Sequence, residues 1–236
     1  MNETGIFRRR HLPHWDVEGK PFFITACLDG SISSVGMKRI QQYRVELDAR
    51  PRPDRFTEDE WKLHKDKLVF VLVDDLLDHD SPVSHLADEH QARIVQDALL
   101  HFASERYVLL AFVVMPSHHH WLFLPDVQWS QVAVERSKRP DGRRRTPREI
   151  ISHSIQSYTA TMCNRVRGVT GNFWQAETFD HWARDEGEML RIIDYIERNP
   201  AKAKLVEHPQ DWPWSSVRLR AMTGTKPGEP IRKPVG

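Results

Sequence analysis

The alternation of strand-like and helix-like segments predicts an α+β fold: an antiparallel sheet with helices packed on it, a sandwich of ferredoxin-like kind. Three observations carry the prediction. Phe22 to Leu28 is β-rich. The apolar run Tyr107 to Met115 is interrupted at Met115-Pro116 before a second strand-like stretch, Ser117 to Leu124. Two capping boxes, Thr57-Glu58-Asp59-Glu60 and Thr146-Pro147-Arg148-Glu149, mark helix starts before and after that strand pair.

Each element follows from its own pattern. After the strand at Phe22 to Leu28, Val35 to Ala49 reads as a helix, with Met37, Ile40 and Leu47 at helical offsets. Arg50-Pro51-Arg52-Pro53-Asp54 is a break, because proline lacks a donor and disfavours helix in the residue before it. The helix begun at Thr57 has an open far end, since Val69 to Val73 also suits a strand. Asp88 caps a helix running to about Arg106, followed by the two strands at Tyr107 to Met115 and Ser117 to Leu124. Trp129 to Arg145 contains a basic, Pro- and Gly-bearing run that reads as an exposed loop. Pro147 opens a helix that Gly168 closes. Thr178 to Arg184 reads as a short strand. Asp185 with Glu188 starts a helix with Met189, Ile192, Ile193 and Ile196 on one stripe, ended by Asn199-Pro200. Gly224 to Gly236, rich in Pro, Gly and basic residues, reads as a disordered tail.

The chain has 236 residues, 39% hydrophobic and 28% charged, an ordinary globular composition. No apolar run approaches the ~18 residues of a membrane span, and Met1 to Arg10 lacks the apolar stretch of a secretory signal. Two cysteines, Cys27 and Cys163, make no disulfide framework, so the expected setting is the reducing cytoplasm. With 34 basic against 33 acidic residues, any nucleic-acid surface must be a local patch.

His118-His119-His120 is the most informative local feature. On a strand, His118 and His120 share one face and His119 takes the other. Two imidazoles about 7 Å apart along a strand can converge on one divalent ion. The plainer alternative is a histidine run that binds nothing.

Tyr158 lies on the helix opened at Thr146, on a narrow face with Ile151, Ile155, Met162 and Val166. That face reads either as core or, if the helix covers the sheet face bearing His118 and His120, as one that aims a phenol at an ion. A phenol is a weak nucleophile at neutral pH. Beside a metal-polarised phosphate it can attack phosphorus in line. The densest basic clusters are Arg8-Arg9-Arg10 and the segment 136–148, which includes Arg143, Arg144 and Arg145. They read as solvated segments or as phosphate contacts.

Met115-Pro116-Ser117-His118-His119-His120-Trp121 resembles the Met-Pro-Asn-His-hydrophobic-His segment of single-tyrosine HUH transposases. The later motifs are similar to the REP-associated tyrosine transposase branch of that family. They are Ser157-Tyr158-Thr159-Ala160, Phe173-Trp174-Gln175, Phe179-Asp180-His181, Tyr195-Ile196 with Asn199-Pro200, and Trp212-Pro213-Trp214-Ser215-Ser216. The resemblance covers most of residues 7–220. It implies one HUH transposase-like domain over 1–223, with a helical insertion near 50–83 as the least matched part. It further implies cleavage and transfer of single-stranded hairpin DNA through a 5′-phosphotyrosine. By motif, Tyr158 is then the nucleophile and His118 and His120 ligate Mg2+ or Mn2+, in a homodimer. The chain departs from the pattern at Ser117 and His119. One turn after the tyrosine stands Met162, a poor ligand for a hard metal. The third ligand therefore stays open among His153, Gln156, Asn164 and Asp180. Rival readings are a non-catalytic hairpin-DNA binder on the same fold, a metal-dependent hydrolase that uses water, and a purely structural protein.

Overall fold

The computed structural model describes residues 5–9, 13–17, 19–138, 142, 144–176 and 178–232, with backbone alone for 5–9 and 13–17. Two strands, β1 (Gly5–Arg9) and β2 (Pro13–Val17), pair antiparallel as a separate ribbon. The main sheet has four strands: β3 (Phe22–Cys27), β4 (Tyr107–Val114), β5 (His118–Pro125) and β6 (Phe179–Trp182). Their spatial order is β4-β5-β3-β6, with every pair antiparallel.

The helices are α1 (Ser34–Ala49), α2 (Glu58–His79), α3 (Glu89–His101), α4 (Val127–Arg136), α5 (Pro147–Arg167), α6 (Glu186–Lys202) and α7 (Ser216–Thr223). Two begin with reciprocal capping boxes: Thr57 with Glu60 on α2, and Thr146 with Glu149 on α5. Each box satisfies two backbone donors that a helix start would otherwise leave unpaired. Gly168 closes α5 in the left-handed conformation, at φ 65°.

The strand alternation sorts the sheet into two faces. Ile24, Trp121, Phe123 and Phe112 pack with Val95 and Leu99 of α3 and with Ile151, Ile155 and Cys163 of α5. On the other face, Phe23, Leu122 and Val113 pack with Ile193 and Ile196 of α6, while Cys27 meets Ile40 of α1 and Val73 and Leu77 of α2. Thus α3, which leads into β4, and α5, between β5 and β6, share one face, while α1 and α2 lie on the other. That connection and the strand order make the α+β, ferredoxin-like arrangement.

Several boundaries differ from the sequence expectations. Val69 to Val73 belongs to α2, where Val69, Val73, Leu76 and Leu77 form its buried stripe. The α3 helix stops at His101, and Asn199-Pro200 does not end α6, which runs to Lys202. Pro200 falls in the last turn, where a missing N–H removes a single hydrogen bond. The stretch read as a loop from Trp129 begins as helix α4. The tail also corrects its expectation over the described part. Ile231 is buried and bridges to Leu109 at the outer edge of β4, and its N–H donates to the Leu109 carbonyl at 2.7 Å. Residues 233–236 lie outside the described residues.

Candidate metal centre

His118 and His120 project from β5 onto the face covered by α2 and α6, and both are fully buried. Their Nε2 atoms lie 3.0 Å apart. Hydrogen bonds to the other ring nitrogens set their direction. Ser117 Oγ donates its one proton to the Leu77 carbonyl at 2.9 Å, so it accepts from His118 Nδ1–H, also at 2.9 Å. That leaves a lone pair on His118 Nε2, aimed at His120. Thr25 stands opposite His120 in the β3–β5 register, with its Oγ1 2.7 Å from His120 Nδ1. Bonds of this kind at the distal nitrogen orient imidazole ligands.

The third donor is Asp74 of α2, which is also buried. Its Oδ1 lies 3.1 Å from His120 Nε2, yet has no partner in hydrogen-bond geometry. Lys202 of α6 holds the other oxygen, Oδ2, at 2.7 Å. The donor atoms of Asp74, His118 and His120 all lie within 4.8 Å of one another. Neighbouring donors of an octahedral ion with bonds of about 2.1 Å stand roughly 3.0 Å apart, so the shorter spacings fit a divalent cation. Asn199 Nδ2 lies 3.3 Å from His120 Nε2, while Asn199 Oδ1 is buried without a partner. Exchanging the two ends of this amide would turn a carbonyl oxygen toward the cluster.

The electrostatics agree with a cation site. Burial alone would raise the Asp74 carboxyl, but His120 above all, with His118 and Lys202, holds it well below the usual carboxylate range. Burial, then the neighbouring His120, pushes the His118 imidazole well down, so it is neutral and able to ligate. Asp78, one turn after Asp74, is 3.9 Å from His118 Nε2, and burial together with the Asp74 charge pushes its carboxyl up to about 7. Tyr195 stacks its ring edge against His120, with centroids 5.5 Å apart. Two imidazoles and a carboxylate form a mixed nitrogen and oxygen set, which suits manganese better than magnesium.

The other candidates lie elsewhere. His119 faces away from the cluster, its ring centroid 5.0 Å from Trp174. Tyr158 is 54% exposed, on a helix that packs against the opposite face of the sheet from His118 and His120. The buried stripe of α5 is Ile151, Ile155, Thr159 and Cys163, rotated away from the face that included Tyr158. Tyr158 is therefore neither core nor, within this chain, beside the cluster. Asp180 pairs with Arg148 at 2.9 Å, and the Asn164 amide donates to the Gly171 carbonyl at 2.9 Å. Asp180 and His153 are not part of the cluster, and Gln156, Met162 and Asn164 belong to α5, which packs on the opposite face of the sheet. Arg8 and Arg9 lie in β1, Arg10 and Arg143 lie outside the described residues, and Arg144 pairs with Glu135 at 2.8 Å. Arg145 donates its backbone N–H to Ser137 Oγ at 3.1 Å.

Sequence reasoning missed Asp74, Asn199 and Lys202. One signal for Asp74 was present: it follows Val73 and lies one turn after Phe70, an acid inside the apolar stripe of α2.

Among the described residues, no helix is long and apolar enough to cross a membrane. No protein-family model matches the chain. A solved structure of a REP-associated tyrosine transposase bound to a REP hairpin superposes with a TM-score of 0.47 at 17% identity, covering 98% of this chain and 93% of the other. A relative from Haemophilus influenzae (strain ATCC 51907 / DSM 11121 / KW20 / Rd), named "Putative REP-associated tyrosine transposase", is 28% identical over 108 residues. The match takes in 45% of this chain and 57% of that relative, so the chain spans just over half the length of the curated relative it matches. The chain is thus similar to the REP-associated tyrosine transposases both in the order of its motifs and in its alignment with this relative.

Proposed function

We propose that this chain nicks and transfers single-stranded hairpin DNA by single-tyrosine HUH chemistry, with Mn2+ or Mg2+ as cofactor and the cytoplasm as its setting. The observation that carries the reading is the convergence of Asp74, His118 and His120 in one buried cluster built on the Met-Pro-Ser-His-His-His segment. The name of the Haemophilus influenzae relative supports the transposase class. Asp74, His118 and His120 would hold the ion, with the Asn199 amide as a further oxygen donor. A divalent ion, when bound, stabilises charge on phosphoryl oxygens.

Tyr158 is the nucleophile in this reading. Its hydroxyl gives up a proton and its oxygen bonds to phosphorus. The P–O3′ bond breaks, and the 3′ oxygen takes a proton. The products are a 5′-phosphotyrosine and a free 3′-OH, so the energy of the phosphodiester is kept for rejoining. Because Tyr158 and the cluster lie on opposite faces of one sheet, and Ile151, Ile155 and Cys163 anchor α5 in the core, Tyr158 would serve the cluster of a second copy. That requires a homodimer. Arg8, Arg9, Arg10, Arg143, Arg144 and Arg145 would contact phosphates.

A second reading has Tyr195 attack within its own chain, favoured by its place against His120. Against it, burial, then the Asp74 charge, pushes the Tyr195 phenol far up.

The test is an SDS-resistant adduct formed with Mn2+ on labelled hairpin oligonucleotides from the DNA flanking the gene. Tyr158→Phe and His120→Ala should each abolish it. Mixing the two variants should restore roughly a quarter of the wild-type yield, since half of random dimers are mixed and each has one intact site. No recovery on mixing would defeat the two-copy arrangement. An adduct that needs Tyr195 and survives Tyr158→Phe would establish the second reading. Free ends without an adduct would indicate a hydrolase, and binding without cleavage a non-catalytic binder.

A further inference from the structure

Between α2, β6 and α6 lies a cavity of about 550 Å³. It is a separate space from the metal ligands, one aromatic layer away. The rings of Phe23 and Tyr195 line it, and their centroids stand 5.6 Å and 5.5 Å from that of His120. Phe70, Phe179 and Trp182 complete an aromatic wall. These rings meet edge to face: Phe23 and Phe70 at 80°, Phe70 and Phe179 at 67°, Phe70 and Tyr195 at 61°. Edge-on contacts leave ring faces free of stacking by their neighbours.

The charged groups lining the cavity carry a cationic excess. Arg44, Lys62, Lys67, Arg184 and Arg191 line it together with the acids Asp59, Asp66, Asp180 and Glu188. Glu188 is held by Arg184 at 2.8 Å and by His181 at 3.1 Å, and Asp180 by Arg148 at 2.9 Å. The volume suits a compact organic group. Aromatic faces inside with cations around them match a flat π-system carried on an anionic backbone, the arrangement that binds unpaired bases. An apolar ligand would explain the rings and not the cations.

We propose that this cavity receives one unpaired nucleobase of the DNA strand, a neighbour of the phosphate to be cut. The proposal rests on the DNA-processing reading above and adds to it a base-binding site. Stacking in the cavity would fix which phosphate approaches His120, and α2 would supply specificity as well as Asp74.

The experiment uses the full chain in EDTA, so that nothing is cleaved. Flanking-DNA hairpins carry 2-aminopurine at one single-stranded tail position at a time. One position should show fluorescence quenched several-fold more than the rest, and an abasic site there should weaken binding about tenfold, the scale of one stacked base. Leu63→Trp fills the cavity and Phe179→Ala removes part of its wall. Each should erase both effects at that position and leave affinity for the abasic hairpin unchanged. Phe179 lies in β6, so Leu63→Trp decides the matter if Phe179→Ala melts early. Equal quenching along the tail, or effects that persist in Leu63→Trp, would overturn the base site while DNA binding stands. No binding to hairpin DNA at any salt would overturn both it and the DNA-processing reading.

Discussion

Thr25 Oγ1 reaches His120 Nδ1 at 2.7 Å because the same register that pairs β3 with β5 sets these residues opposite each other. Removing that hydroxyl leaves the imidazole free to rotate and to change tautomer. Thr25→Val should weaken Mn2+ binding by about 10–100-fold, the usual effect of losing a partner behind a ligand. Asp74→Asn should weaken it at least as much, since it removes the carboxylate from the cluster. Titration calorimetry measures both. His118 and His120 were legible as a pair because period-2 alternation is a local property of a strand. Asp74 was not, because its role depends on where α2 comes to rest, and nothing within α2 specifies the sheet face it will cover. The apolar residues around it reported burial, and the partner that justifies burying a carboxylate lies 44 positions on (118 − 74). The third-ligand candidates near Tyr158 stand apart from this chain's own cluster for the complementary reason. They are close in sequence to the tyrosine helix, and that helix packs on the wrong face.

The helices show the same division between local and long-range information. Capping boxes at Thr57 and Thr146 are local devices, and both helices start where their sequences say. Which stripe of α5 is buried is decided by the sheet. The small Thr159 and Cys163 pack closely against it and turn Tyr158 outward, where hydrophobic periodicity alone had left it inside. Between α6 and β6, Glu188 is a buried junction, bound to Arg184, His181 and Lys67. Burial alone would raise its carboxyl, but His181 and Arg184 hold it well below the usual range. Its folded-state value is depressed, so its stabilisation is complete above the unfolded value of about 4.3 and is lost as pH falls below it. Urea unfolding at stepped pH should therefore show stability falling more steeply from about pH 5 to pH 3 in the wild type than in Glu188→Gln. At neutral pH the variant should be less stable by about 1–3 kcal/mol.

At the scale of the molecule, β4 is an edge strand, and an uncovered edge invites pairing with other chains. Residues on both sides of α7 cover it. Ile231 bridges to Leu109 and Ser215 to Val113. A bulge between Leu109 and Ala111 is served by buried Arg220, which donates to the Leu110 carbonyl, to that of Lys226, and through Nε to Glu197 at 2.8 Å. Deleting residues 225–236 should strand part of that guanidinium and cost about 1–3 kcal/mol. Thermal melting should fall by several degrees, with earlier aggregation on heating. The composition of the tail suggested disorder because one isoleucine among prolines and glycines gives no period to read. Its order comes from the strand edge it covers.

Because Asp74 rides on α2 and its two imidazole partners on β5, any shared cation would tie together parts of the chain that ordinary backbone pairing leaves unconnected. Such a tie acts as a removable staple, and its strength should be felt well beyond the donor atoms. Hydrogen–deuterium exchange should then divide the molecule. Chelation should speed exchange at Val69, Val73 and Leu77, while the amides of β4, held by the sheet and by the tail, keep their protection. The occupancy of the centre would thus set how firmly α2 is held, and with it how readily one wall of the aromatic cavity opens.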